Sequence, residues 1–144
     1  IGACLARGEA AKALEPGTHA STFGGNPFAC RVALAVAQTM EQEQLPQRAQ
    51  EMGELLGSGL RRLQDRFPQV VVDVRGKGLL WGMQCTVPAL NIVRRAMDRG
   101  LLLVPAGSHV VRFVPPLIVS ADEIGQALDV VEACLQEESA ALSA

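Results

Sequence analysis

No uninterrupted apolar run in this sequence approaches the roughly 20 residues that a membrane-spanning helix needs, which excludes a bilayer span. Basic charge is not in excess either. The formal net charge is -2, so no positive field gathers phosphate backbones or anionic lipid, and nucleic acid and membrane surfaces are not expected as partners. Cysteines are few and scattered: Cys4, Cys30, Cys85 and Cys134 have no C-x-x-C spacing and no nearby histidine pair. Neither a metal site nor a redox motif is written there. Buried free thiols in a reducing, cytoplasmic compartment are expected instead. Repeats and low-complexity linkers are missing. Ile1 to Leu5 are apolar but follow no basic segment, as a secretory signal would require, and the chain reads as starting within a longer protein. Lysine is represented only by Lys12, in a helical stretch, and Lys77, in a glycine-flanked turn. Neither setting suits the desolvated amine of a Schiff base.

What is present is the composition of one globular body: 144 residues, 49% hydrophobic and 19% charged. Pro16 to Gly25 carry three glycines and several hydroxyls, which is loop chemistry, and Asn26-Pro27 then opens a helix with a capping side chain and a first-turn proline. That helix is expected to run to about Gln44. Phe28, Val32, Val36 and Met40 recur every fourth residue, with Ala29, Ala33, Leu34 and Ala35 between them, so it is expected to be buried on several sides. A second helix is signalled from Pro46 to about Arg66 by Ala49, Met52, Leu56, Leu60 and Leu63. Val70–Val74 and Leu79–Cys85 read as strands around the turn Arg75-Gly76-Lys77-Gly78, with the single tryptophan, Trp81, packed in the sheet. A short helix from about Pro88 to Arg99 stops at Gly100. Strands at Leu101–Val104 and Val110–Val114 precede a final helix announced by the capping-box pair Ser120 and Glu123. This order predicts an α+β fold with helices on one face of a small, mostly antiparallel sheet.

Two places can carry chemistry. In Thr18-His19-Ala20-Ser21-Thr22-Phe23-Gly24-Gly25-Asn26-Pro27, adjacent hydroxyls precede paired glycines and a helix start, so small donors and backbone N–H groups can approach a phosphate. The alternative is an ordinary loop whose Ser and Thr satisfy their own backbone. Arg112 shares a strand face with Val110 and Val114, and its planar fork suits bidentate recognition of a carboxylate; a structural salt bridge is the alternative. His19 and His109 have no nucleophile at a suggestive spacing and read as loop histidines.

The ordered run His19-Ala20-Ser21-Thr22-Phe23-Gly24-Gly25-Asn26-Pro27-Phe28-Ala29-Cys30 resembles the H-x-[ST]-[TS]-[FY]-G-G-N-P segment of class III aminotransferases, most of all their acetylornithine group. The similarity covers nearly the whole chain, through Arg75-Gly76-Lys77-Gly78-Leu79 and Gly100-Leu101-Leu102-Leu103 to Val111-Arg112-Phe113-Val114-Pro115-Pro116-Leu117. It implies the small C-terminal domain of a fold-type I pyridoxal-phosphate enzyme. Residues 1–25 would end the large cofactor-binding domain, 26–44 would be a connecting helix and 45–144 the small domain. By the same resemblance, Thr22 reaches the phosphate of pyridoxal 5'-phosphate in the neighbouring subunit of a homodimer. Ser21 lies near the substrate, and Arg112 sits at the substrate pocket. The resemblance also places the Schiff-base lysine upstream of Ile1, so no catalytic residue is expected in this chain, which alone should be inactive. The implied reaction moves the terminal amino group of N-acetylornithine to 2-oxoglutarate, giving glutamate, in arginine biosynthesis. Other ω-aminotransferases acting on 4-aminobutyrate, ornithine or succinylornithine, and a non-catalytic dimerising module, are the alternatives.

Overall fold

The computed structural model describes residues 1–15 and 17–143. Pro16, the first residue of the expected loop, and Ala144, the last of the expected small domain, lie outside the described residues. The chain divides into two units, Ile1–Glu43 and Gln44–Ala144.

The first unit holds a short 3₁₀ turn, Gly8–Lys12, and helix α1, Pro27–Gln42. Local chemistry starts α1. Asn26 is extended, its side-chain oxygen accepts the Ala29 N–H at 2.9 Å, and Pro27 fills the first turn, where its missing N–H costs nothing. The apolar side chains of α1 do not enter a core. Phe28, Val32, Leu34 and Val36 are exposed, and no residue of the helix is buried. This overturns the expectation of a helix buried on several sides: periodicity marks which side chains are apolar, but it does not supply the surface that would cover them. Cys4 and Cys30 are exposed for the same reason, so only Cys85 and Cys134 of the four free thiols are buried as expected.

The second unit is the α+β layer the pattern called for. Its elements are α2, Leu45–Arg66; β1, Val71–Lys77; β2, Leu80–Cys85; α3, Ala89–Asp98; β3, Val104–Pro105; β4, Val110–Phe113; and α4, Ala121–Leu142. The strands form one antiparallel sheet in the order β1-β2-β4-β3. Alternation gives each strand a covered and an open face. Val74, Trp81, Met83, Val111 and Phe113 point into the core, while Arg75, Lys77, Leu80 and Arg112 are exposed. Leu56, Leu60 and Leu63 of α2, Ile92 of α3 and Val131 and Leu135 of α4 complete that core. At about 25 cal/mol per Å² of apolar surface removed from water, each such side chain stabilises the fold by roughly 1.5–3 kcal/mol.

Helix α2 lies unusually close to the sheet because it carries glycine where contact is made. A Cβ on Gly53 would sit 2.0 Å from the Gly78 carbonyl oxygen, and one on Gly57 would sit 2.3 Å from the Trp81 ring. Gly59 plays the same part towards α4, where a Cβ would meet Leu128 at 2.2 Å. Trp81 is locked in this layer: its indole N–H donates to the Gly78 carbonyl at 2.7 Å, and the Arg61 guanidinium lies 5.0 Å from its ring centroid. The strands around it run further than expected. Arg75, Gly76 and Lys77 belong to β1, paired with Gly82, Trp81 and Leu80, so the connection shrinks to Gly78-Leu79 with Gly78 at φ 55°. Conversely, the strand expected at Leu101–Val104 reduces to the two-residue β3.

Polar chemistry closes the other face of the helical layer. Glu138 of α4 is only 4% exposed and accepts from Arg95 Nε of α3 at 2.7 Å, while Arg95 and Arg99 also bind Glu137. A buried carboxylate must be paired in this way. Ser120 and Glu123 form the expected capping box, and the Ser120 hydrogen bonds hold the Glu123 carboxyl below its ordinary range. Burial, reinforced by Glu138, pushes the Cys85 thiol up to about 12, so it behaves as a small apolar side chain and not as a nucleophile.

Candidate functional site

The hydroxyl-glycine loop of the first unit separates the two side chains that the sequence leaves equivalent. Ser21 turns inward on its own loop: its Oγ accepts the Gly24 N–H at 3.0 Å, and a Cβ on Gly24 would lie 2.8 Å from the Ser21 Cβ. Gly25, at φ 68°, takes the left-handed conformation that carries the chain into the cap, and the Asn26 side-chain amide donates to the Phe23 carbonyl at 2.6 Å. Thr22 stands between them, exposed, with no hydrogen-bond partner for its hydroxyl among the described residues. The self-satisfied loop reading therefore describes Ser21, and Thr22 is the hydroxyl available to an external acceptor. A few residues on is the amino end of α1, whose partial positive charge suits a phosphate, with the Ala29 N–H already taken by the Asn26 cap.

Arg112 belongs to the second unit. It lies on the open face of β4, opposite Gly82 of β2 and Val104 of β3, and is exposed with no ion-pair partner among the described residues. Among the described residues it joins no buried salt bridge. Beside it, Leu101–Val104, Val114–Pro116 and Ile124 line an apolar recess of about 300 Å³ that Arg112 borders. Its border carries one cation, Arg112, and one carboxylate, Glu123.

The remaining candidates recede. His19 is exposed, and exposed His109 shares a 2.8 Å hydrogen bond with Ser108. Lys12 pairs with Glu9 at 2.8 Å, with its side chain 73% exposed, and Lys77 is exposed at the end of β1. No apolar enclosure surrounds either amine. Thr22 fits one contact to a cofactor phosphate, whereas the described residues offer no amine that fits covalent attachment of the cofactor. Arg75, which lies one strand beyond Gly82 from Arg112, was not singled out by its sequence. Only strand register reveals that adjacency.

A family model described as Aminotransferase class-III matches residues 1–135. The chain belongs to the class III aminotransferases. Within that family it is 56% identical over 133 residues to an acetylornithine aminotransferase of Gloeobacter violaceus, covering 92% of this chain and 33% of the relative. Against an acetylornithine aminotransferase of Nostoc sp. the identity is 53% over 125 residues, covering 84% and 29%. Among solved structures, the acetylornithine aminotransferase of Elizabethkingia anophelis superposes with a TM-score of 0.78 at 32% identity, over 86% of this chain and 32% of that one. The ornithine aminotransferase of Toxoplasma gondii gives 0.79 at 32% identity, over 92% and 33%. The chain thus spans about a third of the length of the class III aminotransferases it matches.

Proposed function

We propose that this chain is the C-terminal part of an acetylornithine aminotransferase, which moves the terminal amino group of N-acetylornithine to 2-oxoglutarate with pyridoxal 5'-phosphate, in arginine biosynthesis in the cytoplasm. The observation that carries the reading is the 56% identity over 133 residues to a relative of that name. Residues 1–25 end the large domain, 26–44 connect, and 45–144 form the small domain. The cofactor, when bound, supplies the electron sink for moving the amino group. This chain's own residues bind and orient. Thr22 donates one hydrogen bond to the cofactor phosphate of the partner subunit in a homodimer, Ser21 shapes the glycine loop beside the substrate, and Arg112 holds a substrate carboxylate. The catalytic lysine lies outside the chain, so the 144 residues alone do not transaminate. Steady-state assays of the full-length enzyme with N-acetylornithine, ornithine, succinylornithine and 4-aminobutyrate test the reading. A several-fold preference in kcat/KM for any of the last three would replace it. Ornithine is the competitor to watch, since an ornithine aminotransferase matches the fold equally well.

Thr22 supplies a sharper measurement. Its hydroxyl makes no hydrogen bond among the described residues, so Thr22→Ala should leave the melting temperature of the apo-enzyme within a degree or two. A hydrogen bond to a charged group contributes on the order of 1.5–3 kcal/mol, so the Kd for pyridoxal 5'-phosphate should rise by roughly 10- to 150-fold. Unchanged cofactor affinity together with a lowered melting temperature would assign Thr22 to the fold.

A further inference from the structure

The open face of the sheet carries a feature that neither the glycine loop nor the apolar recess requires. Gly82 of β2 pairs with Arg75 of β1 on one side and with Arg112 of β4 on the other. All three positions alternate onto the open face, so two guanidinium groups flank a residue without a side chain. Two strand spacings, about 9.6 Å, separate the backbones of β1 and β4, a gap that two arginine side chains can close from either side. The result is a shallow depression of about 520 Å³ lined by Arg75, Lys77, Leu80, Gly82, Val110 and Arg112. A side chain at 82 would occupy its floor, and even a Cβ there would meet Val110 at 3.3 Å.

Charge and donors agree with the shape. Arg75 is held by Nη1 alone, which donates to Asp73 at 2.6 Å and to Gln84 at 3.0 Å, leaving Nε and Nη2 without a partner among the described residues. Asp73 and Gln84 therefore brace the guanidinium without consuming its fork. Arg112 has all its donors available in the same sense among the described residues, and Lys77, two residues along from Arg75, adds a third cation to the depression. Two guanidinium groups bordering one depression offer the planar donor pairs that a carboxylate accepts.

We propose that Arg75 is a further substrate-positioning residue, sharing with Arg112 one carboxylate of the substrate in a cleft floored by Gly82. The inference rests on the proposed aminotransferase function for its ligand: 2-oxoglutarate and glutamate, the dicarboxylate pair of that reaction, supply the carboxylate that the cleft holds. Arg75 acts on binding and orientation and takes no part in proton transfer.

Glutarate is the probe. Titrated into the 144-residue chain at constant ionic strength, it should shift the Gly82 amide resonance saturably and change Trp81 fluorescence, because Trp81 also borders the cleft. Arg75→Gln should raise the glutarate Kd at least about tenfold, the loss of one charged hydrogen-bond pair. Arg75→Lys, which keeps the charge but not the fork, should recover only part of that loss. In the full-length enzyme Arg75→Gln should raise KM for 2-oxoglutarate more than it lowers kcat. A shift reproduced by chloride, or Arg75→Gln binding glutarate as tightly as the parent, overturns the cleft. If Arg75→Gln is silent while Arg112→Lys is impaired, Arg75 is excluded and the role of Arg112 stands. If glutarate binds through both arginines but the full-length enzyme does not use N-acetylornithine, the cleft stands and the assigned reaction falls.

Discussion

Replacing Gly53 with alanine is expected to lower the melting temperature of the second unit by more than about 10 °C, an unusually large response for a single methyl group. The added Cβ would lie 2.0 Å from the Gly78 carbonyl oxygen and 2.4 Å from its carbonyl carbon. Both atoms are backbone, so no rotamer change makes room. Either α2 retreats, which loosens Leu56 and Leu60 against the sheet, or the Gly78-Leu79 connection deforms. Overpacking typically costs 1–3 kcal/mol and more when backbone must move; about 3 kcal/mol in a domain of this size corresponds to roughly 12–24 °C. Helix propensity opposes this by only about 1 kcal/mol in favour of alanine, so the clash decides. Gly125, inside α4 with nothing within 4 Å of its would-be Cβ, is the control. There the propensity acts alone, and Gly125→Ala should raise the melting temperature by a few degrees. Paired thermal melts followed by circular dichroism would decide the matter: a Gly53→Ala curve within two degrees of the parent means that α2 has slack against the turn.

Arg112→Lys in the full-length enzyme should slow the half-reaction that uses glutamate or 2-oxoglutarate by roughly 10- to 150-fold, the loss of a charge-assisted bidentate contact worth about 1.5–3 kcal/mol. Lysine retains the charge but presents a point donor in place of the planar fork. Stability should change little, because Arg112 is exposed and joins no ion pair among the described residues; substitutions in such places usually move stability by less than about 0.5 kcal/mol. Stopped-flow traces of each half-reaction alongside a thermal melt separate the two roles. Equal rates in both half-reactions with a clearly lower melting temperature would make Arg112 a structural residue.

Features that depend on neighbours in sequence were legible before the structure. Asn26 and Pro27 start α1, Ser120 and Glu123 start α4, and Gly100, at φ 81°, follows α3, because each signal is completed within four residues. The antiparallel sheet and the strand carrying Arg112 were equally readable, since period-two alternation reports its own face. Features that depend on distant partners were not. Arg75 to Lys77 look like a turn because two of the four residues around them are glycine; they extend β1 because Gly76 is open to the Trp81 ring, where a Cβ would meet it at 2.5 Å. The pairing of Arg75 with Gly82 also follows a register shift between Val71 and Asp73, which resets which side chains share a face. Ser21 and Thr22 are chemically alike in sequence, and only the closed Ser21–Gly24 contact tells them apart. The spacing of Phe28, Val32 and Val36 marks an apolar face on α1, but no local signal says whether anything covers it, and all three are exposed.

That uncovered face bears on how heat and denaturant act on the chain. Unit one has turns, a cap and a helix, yet no buried side chain among its described residues. Its shape is encoded locally while almost none of the apolar surface that drives cooperative melting is contributed by it. The heat capacity of unfolding, about 12–15 cal/mol/K per residue for a packed domain, therefore belongs to the hundred or so residues after Glu43, as does the denaturant m-value. For a chain of 144 residues both quantities should look about a third too small.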